Sequence, residues 1–292
     1  MRRFRFGVSL RTIGSPAEWY AKCLRAEELG YDVVAVSDHL GPGRPAPFPA
    51  FAAAAAVTER VRFVPFVLNV PFYNPTLLAR EVRTTAELTG GRLDLGVGAG
   101  HMKSEFEDAG LPWWPAAERI DFLERALAEL RSRFAEEDAP APPLLIAGNS
   151  DGMLSLAARH ATIAGFSGLR QVPGHPPGTF RLATAAELAE RVAFLHEQAG
   201  ERVAEIEPNL LVQHVLRTED PRAGLESWAA QIPQLGLGPE ELLAAPQLLA
   251  GEPARMADLL RERRERYGFS YLTVFEPAME DFASVIRELA GE

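Results

Sequence analysis

Eight short apolar runs punctuate this chain, and each is followed by sequence of helical character. The runs are Phe4 to Leu10, Val33 to Val36, Val61 to Leu68, Leu93 to Val97, Leu144 to Ala147, Ile163 to Phe166, Leu210 to Val215 and Tyr271 to Phe275. They are short, mostly apolar and rich in β-branched residues, the pattern of strands buried on both faces. Parallel strands need crossover connections, and helices supply them. Eight such units in 292 residues predict an α/β protein of the closed (β/α)8 TIM-barrel type, with residues 1–292 forming one domain. A doubly wound open sheet is the alternative. It would need fewer units or a second domain, and no boundary marks where one would begin.

The helix signals agree with this alternation. Ser15-Pro16-Ala17-Glu18 is a capping box with proline at the first helical position, and Gly30 closes the helix it opens. A proline-rich loop, Gly41 to Pro49, leads into an alanine-rich helix through Thr58, and Asn74-Pro75 begins another that ends at Gly90-Gly91. Ile120, Leu123, Leu127, Leu130 and Phe134 form a core stripe at spacings of three and four. Thr184 to Glu187 is a second capping box. Two segments fit less easily. Pro65 lies inside the third run, where it lacks the N–H a central strand donates, and this predicts a bulge or an irregular strand end. Pro173 to Gly178 is a Gly/Pro loop long enough for a lid or a flap.

The net charge is −10, which argues against nucleic acid or an anionic membrane as the main partner and leaves room for a small ligand. Cys23 is the one cysteine, so no internal disulfide or thiolate metal cluster is expected, and its place inside a helix reads as core filler. Met1 to Arg5 is basic but no long apolar region follows, and no run reaches membrane-spanning length, so the expectation is a cytoplasmic protein. No His-x-x-x-His or Glu/His spacing suggests a metal site.

In parallel α/β proteins ligands collect at the carboxyl ends of the strands, and the second run ends in Asp38 and His39. An imidazole titrates near working pH and a carboxylate can orient it, the equipment of a general acid or base. A solvated loop histidine is the bland alternative, and neighbours in a strand point in opposite directions, so the two need not touch. Gly96, Gly98 and Gly100 alternate at the end of the fourth run, which fails the dinucleotide fingerprint. The pattern fits either close approach to a flat ligand or tight packing at a barrel rim. Phe66 to Pro75 reads as a wall behind a ring system or as a hydrophobic cover. Gly148-Asn149-Ser150 before a helix fits a phosphate site or an ordinary cap. Among the other histidines, His160 reads as core, His175 lies in the Gly/Pro loop, His196 reads as exposed, and His214 is a weak candidate.

Taken together, these stretches resemble the bacterial luciferase-like superfamily, in particular its branch of oxidoreductases that use the deazaflavin coenzyme F-420. The markers are Gly30-Tyr31-Asp32 through Asp38-His39-Leu40, Asn74-Pro75 to Gly90-Gly91-Arg92-Leu93, Gly-Val-Gly-Ala-Gly-His with Glu105 and Gly110 behind it, Leu145 to Ser150, and Gly251-Glu252-Pro253 with Tyr271 to Pro277. The resemblance implies a barrel with the deazaflavin, or FMN, at its carboxyl face. Asp38 and His39 would sit beside the redox ring, with His39 moving the proton. A non-proline cis peptide would fall among Phe66, Val67, Leu68 and Asn69. Gly98, Ala99 and Gly100, with His101 behind them, would pass close to the cofactor. Ala147, Gly148, Asn149 and Ser150, with Phe166 and Ser167, would hold its phosphate-bearing tail, and Lys103 would either pair with its anionic groups or be an ordinary surface lysine.

Two departures matter. The branch's sugar-phosphate dehydrogenases carry a glutamate where this chain has His101, and a tryptophan a few residues past the histidine where it has Gly41 to Arg44. The function implied is hydride transfer between F-420 and an unidentified small organic substrate. The rivals are a two-component monooxygenase using reduced FMN, a non-redox barrel hydrolase using Asp38 and His39, and a barrel that binds the cofactor without catalysis. Relatives are often dimers, and one sequence marks no interface.

Overall fold

The computed structural model describes residues 2–292. In chain order its strands are β1 (Arg5–Leu10), β2 (Val33–Val36), β3 (Arg62–Pro65), β4 (Leu68–Asn69), β5 (Leu95–Gly98), β6 (Leu144–Ala147), β7 (Ile163–Phe166), β8 (Leu169–Gln171), β9 (Phe180–Leu182), β10 (Glu207–Leu211), β11 (His214–Leu216), β12 (Leu248–Ala250) and β13 (Tyr271–Phe275). Nine of them form one parallel sheet in the order β3-β2-β1-β13-β10-β7-β6-β5-β4. β3 and β4 are two halves of a single stave, and a bridge between Phe63 and Leu93 joins its first half to the β5 side. The sheet therefore closes into eight staves, and helices cross over between them, as the eightfold alternation requires.

Side chains alternate along each strand, and the two faces form separate apolar clusters. Val33, Ala35, Val64, Leu145, Ile163 and Tyr271 pack inside the barrel. Val34, Val36, Phe63, Val97, Ile146, Phe166, Leu210 and Leu272 belong to the larger cluster beneath the helices. At the amino-terminal ends Arg5 pairs with Asp94 at 3.1 Å and Glu207 at 2.8 Å. Its guanidinium lies 4.3 Å from the centre of the Tyr271 ring. Arg62 holds the other oxygen of Asp94 at 2.7 Å. These charges satisfy one another and plug that end.

The structure revises several boundaries. The third run breaks into β3 and β4 around a cis Phe66–Val67 peptide, so the irregularity signalled by Pro65 falls at the next residue. The seventh stave is Glu207–Leu211 rather than Leu210 to Val215. At Val212 and Gln213 the chain leaves the barrel, and His214–Leu216 pairs instead with Leu248–Ala250. The fourth stave starts at Leu95 rather than Leu93, which is held by an isolated bridge to Phe63. The helix expected to run through Thr58 ends at Ala55. Pro173 to Gly178 forms the tip of an antiparallel hairpin, β8–β9. A satellite cluster of Leu182, Leu225, Leu242, Leu248 and Ala250 packs beneath it. No helix among the described residues is long and apolar enough to cross a membrane.

Candidate functional site

The carboxyl ends of the staves open into a cavity of about 790 Å³, a volume suited to a cofactor or drug-sized guest. Every site residue expected from the sequence lines it except Phe166. Phe166 shares the outward face of its strand with Ala164, is fully buried, and packs on Phe269 with ring centres 5.6 Å apart. Period-two alternation sends Ser167, not Phe166, into the cavity.

His39 leaves the end of β2 and meets a partner from far along the chain. Its Nδ1 stands 2.8 Å from Glu105 Oε1, which also accepts the Leu40 N–H at 3.3 Å. Glu105 is buried on the short helix Lys103–Asp108. Its carboxylate selects the tautomer with the proton on Nδ1, so Nε2 carries the lone pair. Nε2 has no hydrogen-bond partner among the described residues.

Asp38 does not orient His39. Its Oδ2 accepts the Asn69 N–H at 3.0 Å and the Tyr73 hydroxyl at 3.0 Å. Burial pushes the Asp38 carboxyl above the usual carboxylate range, against the pull of those two donors. Asp38 thus ties the end of β4 to the end of β2, holding in place the wall that carries Phe66, Val67 and Leu68.

The glycines answer to packing. A Cβ on Gly96 would fall 2.0 Å from the Pro65 carbonyl oxygen, and one on Gly98 would fall 2.8 Å from Val67 Cγ2. At Gly100, where φ is +74°, it would meet Asn69 Oδ1 at 2.4 Å and the Phe106 ring at 2.8 Å. β5 can approach the divided stave only without side chains there. His101 then turns its ring edge-on to His39, centres 5.5 Å apart, and to Phe180 of the hairpin at 5.6 Å. His101 keeps an exposed edge at the cavity mouth, and partial desolvation by the walls around it, reinforced by the nearby His39, lowers its imidazole below the ordinary value. Arg119 fastens this turn from beneath. It donates to the carbonyls of Ala99 at 3.0 Å, Gly100 at 3.4 Å and Trp114, and stacks 3.7 Å from the Trp113 ring centre.

Across the barrel, Asn149 donates to Ser167 Oγ at 2.8 Å and to the Leu169 carbonyl at 2.6 Å. Ser150 caps the helix Asp151–His160. Two acceptors belonging to cavity-lining side chains, Asn69 Oδ1 and Asn149 Oδ1, are buried without a donor. The remaining candidates stand apart from the cavity. His214 stacks on Trp228, ring centres 4.3 Å apart, and His160 pairs with Glu124 at 3.1 Å. Lys103 pairs with Glu107 at 3.0 Å on the surface. Sequence reasoning did not assign Glu105, Arg119 or Phe180 a role. Glu105 and Phe180 act across large sequence separations, and Arg119 reaches back to carbonyls that no local pattern marks as its partners.

A closed β/α barrel with a cofactor-sized cleft at its carboxyl face, walled by an acid-held imidazole and a divided third stave, defines a class of ligand-binding enzyme. The chain belongs to the luciferase-like monooxygenase family, whose model matches residues 3–271. An F420-dependent glucose-6-phosphate dehydrogenase of Kribbella flavida is 33% identical over 277 residues, covering 88% of this chain and 81% of that protein. The enzyme of the same name from Beutenbergia cavernae is 38% identical over 130 residues. That match covers 42% of this chain and 38% of the relative, well under half of its length. Among solved structures, an F420-dependent secondary alcohol dehydrogenase in complex with an F420–acetone adduct superposes with a TM-score of 0.76 at 17% identity, covering 99% of this chain and 98% of the other. The oxygenating constituent of 3,6-diketocamphane monooxygenase from Pseudomonas putida, in complex with FMN, gives 0.69 at 17% identity, covering 99% and 96%. At such identities the likeness is one of fold.

Proposed function

We propose that this protein is a coenzyme F-420-dependent oxidoreductase that moves a hydride between the deazaflavin and a small organic substrate, with His39 carrying the accompanying proton. The observation that carries the reading is the His39–Glu105 pair, which fixes one ring nitrogen and leaves the other free at the cavity wall. The family match and the F420-dependent names of the relatives support the cofactor. The cavity fits such a guest. Phe66, Val67 and Leu68 offer an apolar wall for a flat ring, and Gly98 and Gly100 leave the adjoining rim without side chains. Gly148 to Ser150 at a helix start, with Arg170, suit a phosphate-bearing tail.

When bound, a deazaflavin supplies two-electron hydride chemistry and reacts poorly with oxygen. The residues here manage orientation and the proton. In oxidation of an alcohol, His39 Nε2 takes the hydroxyl proton, and Glu105 stabilises the imidazolium. In reduction of a carbonyl the same nitrogen returns it. The hydrolase reading needs an Asp38–His39 couple, and Asp38 is instead bound to Asn69 and Tyr73. His101, and Arg44 in the loop after His39, differ from the branch's sugar-phosphate enzymes, so that substrate is not carried over.

Titrating the purified protein separately with F-420 and with FMN tests the proposal. Saturable F-420 binding at substoichiometric FMN occupancy is expected, with hydride transfer in a screen of alcohols and ketones. Preferential FMN binding with oxygen consumption would replace the reading by the monooxygenase.

A further inference from the structure

The cavity's charges are unevenly compensated. Of the acids that line it, Asp38 holds Asn69 and Tyr73, and Glu105 holds His39. Of the arginines that line it, Arg119 is committed to three carbonyls and Arg170 lies 3.8 Å from Glu187. Arg11 and Arg44 line it too, and among the described residues neither guanidinium has a carboxylate within ion-pair distance. Glu276 accepts the main-chain N–H of Arg11, but its side chain is paired with Lys22 at 2.7 Å. The Arg11 guanidinium lies 6.0 Å from the centre of the Phe275 ring.

The topology places these two cations after neighbouring staves on one side of the cavity mouth. Arg11 follows β1 and Arg44 follows β2, which are adjacent staves. Arg44 is half-buried, presented by a turn in which its N–H bonds the Gly41 carbonyl at 3.2 Å. Gly43 adopts φ +73°, a conformation that favours glycine. β7, with Ser167 and Arg170 beyond its end, lies half-way round the barrel from β2. The cavity thus has two poles on opposite sides, Arg11 and Arg44 at one and Ser167 with the Glu187-paired Arg170 at the other, and His39 is on the same side as Arg11 and Arg44.

We propose that Arg11 and Arg44 form an anion subsite on the substrate's side of the cavity. It would select alcohols or ketones that carry a carboxylate or phosphate near the reacting carbon. The physical reason is differential. A neutral substrate leaves the exposed Arg11 and half-buried Arg44 guanidinium groups to water alone, whereas an anion gives each a charge-assisted hydrogen bond. The assignment rests on the deazaflavin reading for one point: the cofactor's anionic tail takes the opposite pole.

Calorimetric titration of the F-420-loaded protein, and in parallel of the cofactor-free protein, tests this with two matched pairs: lactate against lactamide, and glycerol 3-phosphate against glycerol. At least one acid is expected to bind about tenfold tighter than its neutral partner, the margin one charge-assisted contact supplies. Added salt should shrink that ratio. R11Q and R44Q should each reduce it and together abolish it, with F-420 affinity changed less than about twofold, since the tail lies at the other pole. Neutral partners binding as tightly as the acids, or neither acid binding, overturns the subsite. Variants that weaken F-420 and leave the acid-to-neutral ratio intact also overturn it, assigning the arginines to the cofactor. If F-420 itself fails to bind while the ratio persists in the cofactor-free protein and vanishes in the variants, the subsite stands and the deazaflavin reading falls.

Discussion

Glu105 Oε1 stands 2.8 Å from His39 Nδ1 and 3.3 Å from the Leu40 N–H, so one buried oxygen fixes both the ring and the backbone beside it. A glutamine in its place keeps an accepting oxygen and removes the charge that steadies an imidazolium. Glu105→Gln is therefore expected to lower turnover by about tenfold or more, each tenfold being about 1.4 kcal/mol of barrier, with little change in cofactor affinity. His39→Ala is expected to cost roughly 10²- to 10⁴-fold, the usual range for a lost general acid or base. Because Glu105 acts through His39, the double variant should be no slower than His39→Ala alone. Additional loss in the double variant would give Glu105 a separate role.

The second prediction concerns the glycines facing the divided stave. A methyl on Gly96 would meet a main-chain oxygen at 2.0 Å, and one on Gly100 would meet Asn69 Oδ1 and Phe106 in a backbone region that disfavours side chains. On Gly98 it would press only the end of Val67. Overpacking of this kind costs about 1–3 kcal/mol. Melting temperatures are expected to fall in the order Gly98→Ala, Gly100→Ala, Gly96→Ala, the last the lowest. Gly110→Ala is the control: its φ is +67° with nothing within 4 Å of the added carbon, so only the conformational cost of about 1 kcal/mol applies. A Gly96→Ala protein as stable as that control would show that packing does not dictate the glycine.

Much of the barrel was legible because a strand buried on both faces and a capped helix write themselves locally. Val33 to Val36, Leu144 to Ala147, Ile163 to Phe166 and Tyr271 to Phe275 match the observed strands, and both capping boxes form. The seventh stave was misplaced because Leu210 to Val215 is uniformly strand-like, and only tertiary pairing with Leu248–Ala250 tells the chain to leave the barrel. His39 and Asp38 were legible by position at a strand end. Their partners were not, since Glu105 lies 66 residues beyond His39 and Tyr73 lies 35 beyond Asp38. Phe166 lies outside the cavity on a point of parity: a resemblance carries a neighbourhood, and alternation decides which of two adjacent residues faces the opening.

Cys23 gives a third prediction. It is fully buried on the helix Pro16–Glu28, and burial pushes its thiol up to about 12. The thiolate is the reactive form, so native protein at neutral pH should not react with an aromatic disulfide reagent on a timescale of minutes. Reaction should appear with the same denaturant midpoint as loss of circular dichroism, making this thiol a reporter of global unfolding. Rapid labelling below that midpoint would show that the helix opens locally.

The last prediction concerns pH and His101. Partial desolvation and the nearby His39 lower the proton affinity of His101 in the folded chain, whereas the unfolded chain binds a proton near pH 6.5. The unfolded state therefore takes up more protons as the solution is acidified. The stability this residue contributes is fully present above about pH 6.5 and is lost as pH falls from there through the lower folded value. His101→Phe removes the titration and retains a ring to face Phe180. Melting temperature measured from pH 7.5 to 5 should fall less steeply for that variant than for the wild type, the other titrating groups being common to both. Parallel melting curves across that range would mean that His101 protonates as readily folded as unfolded.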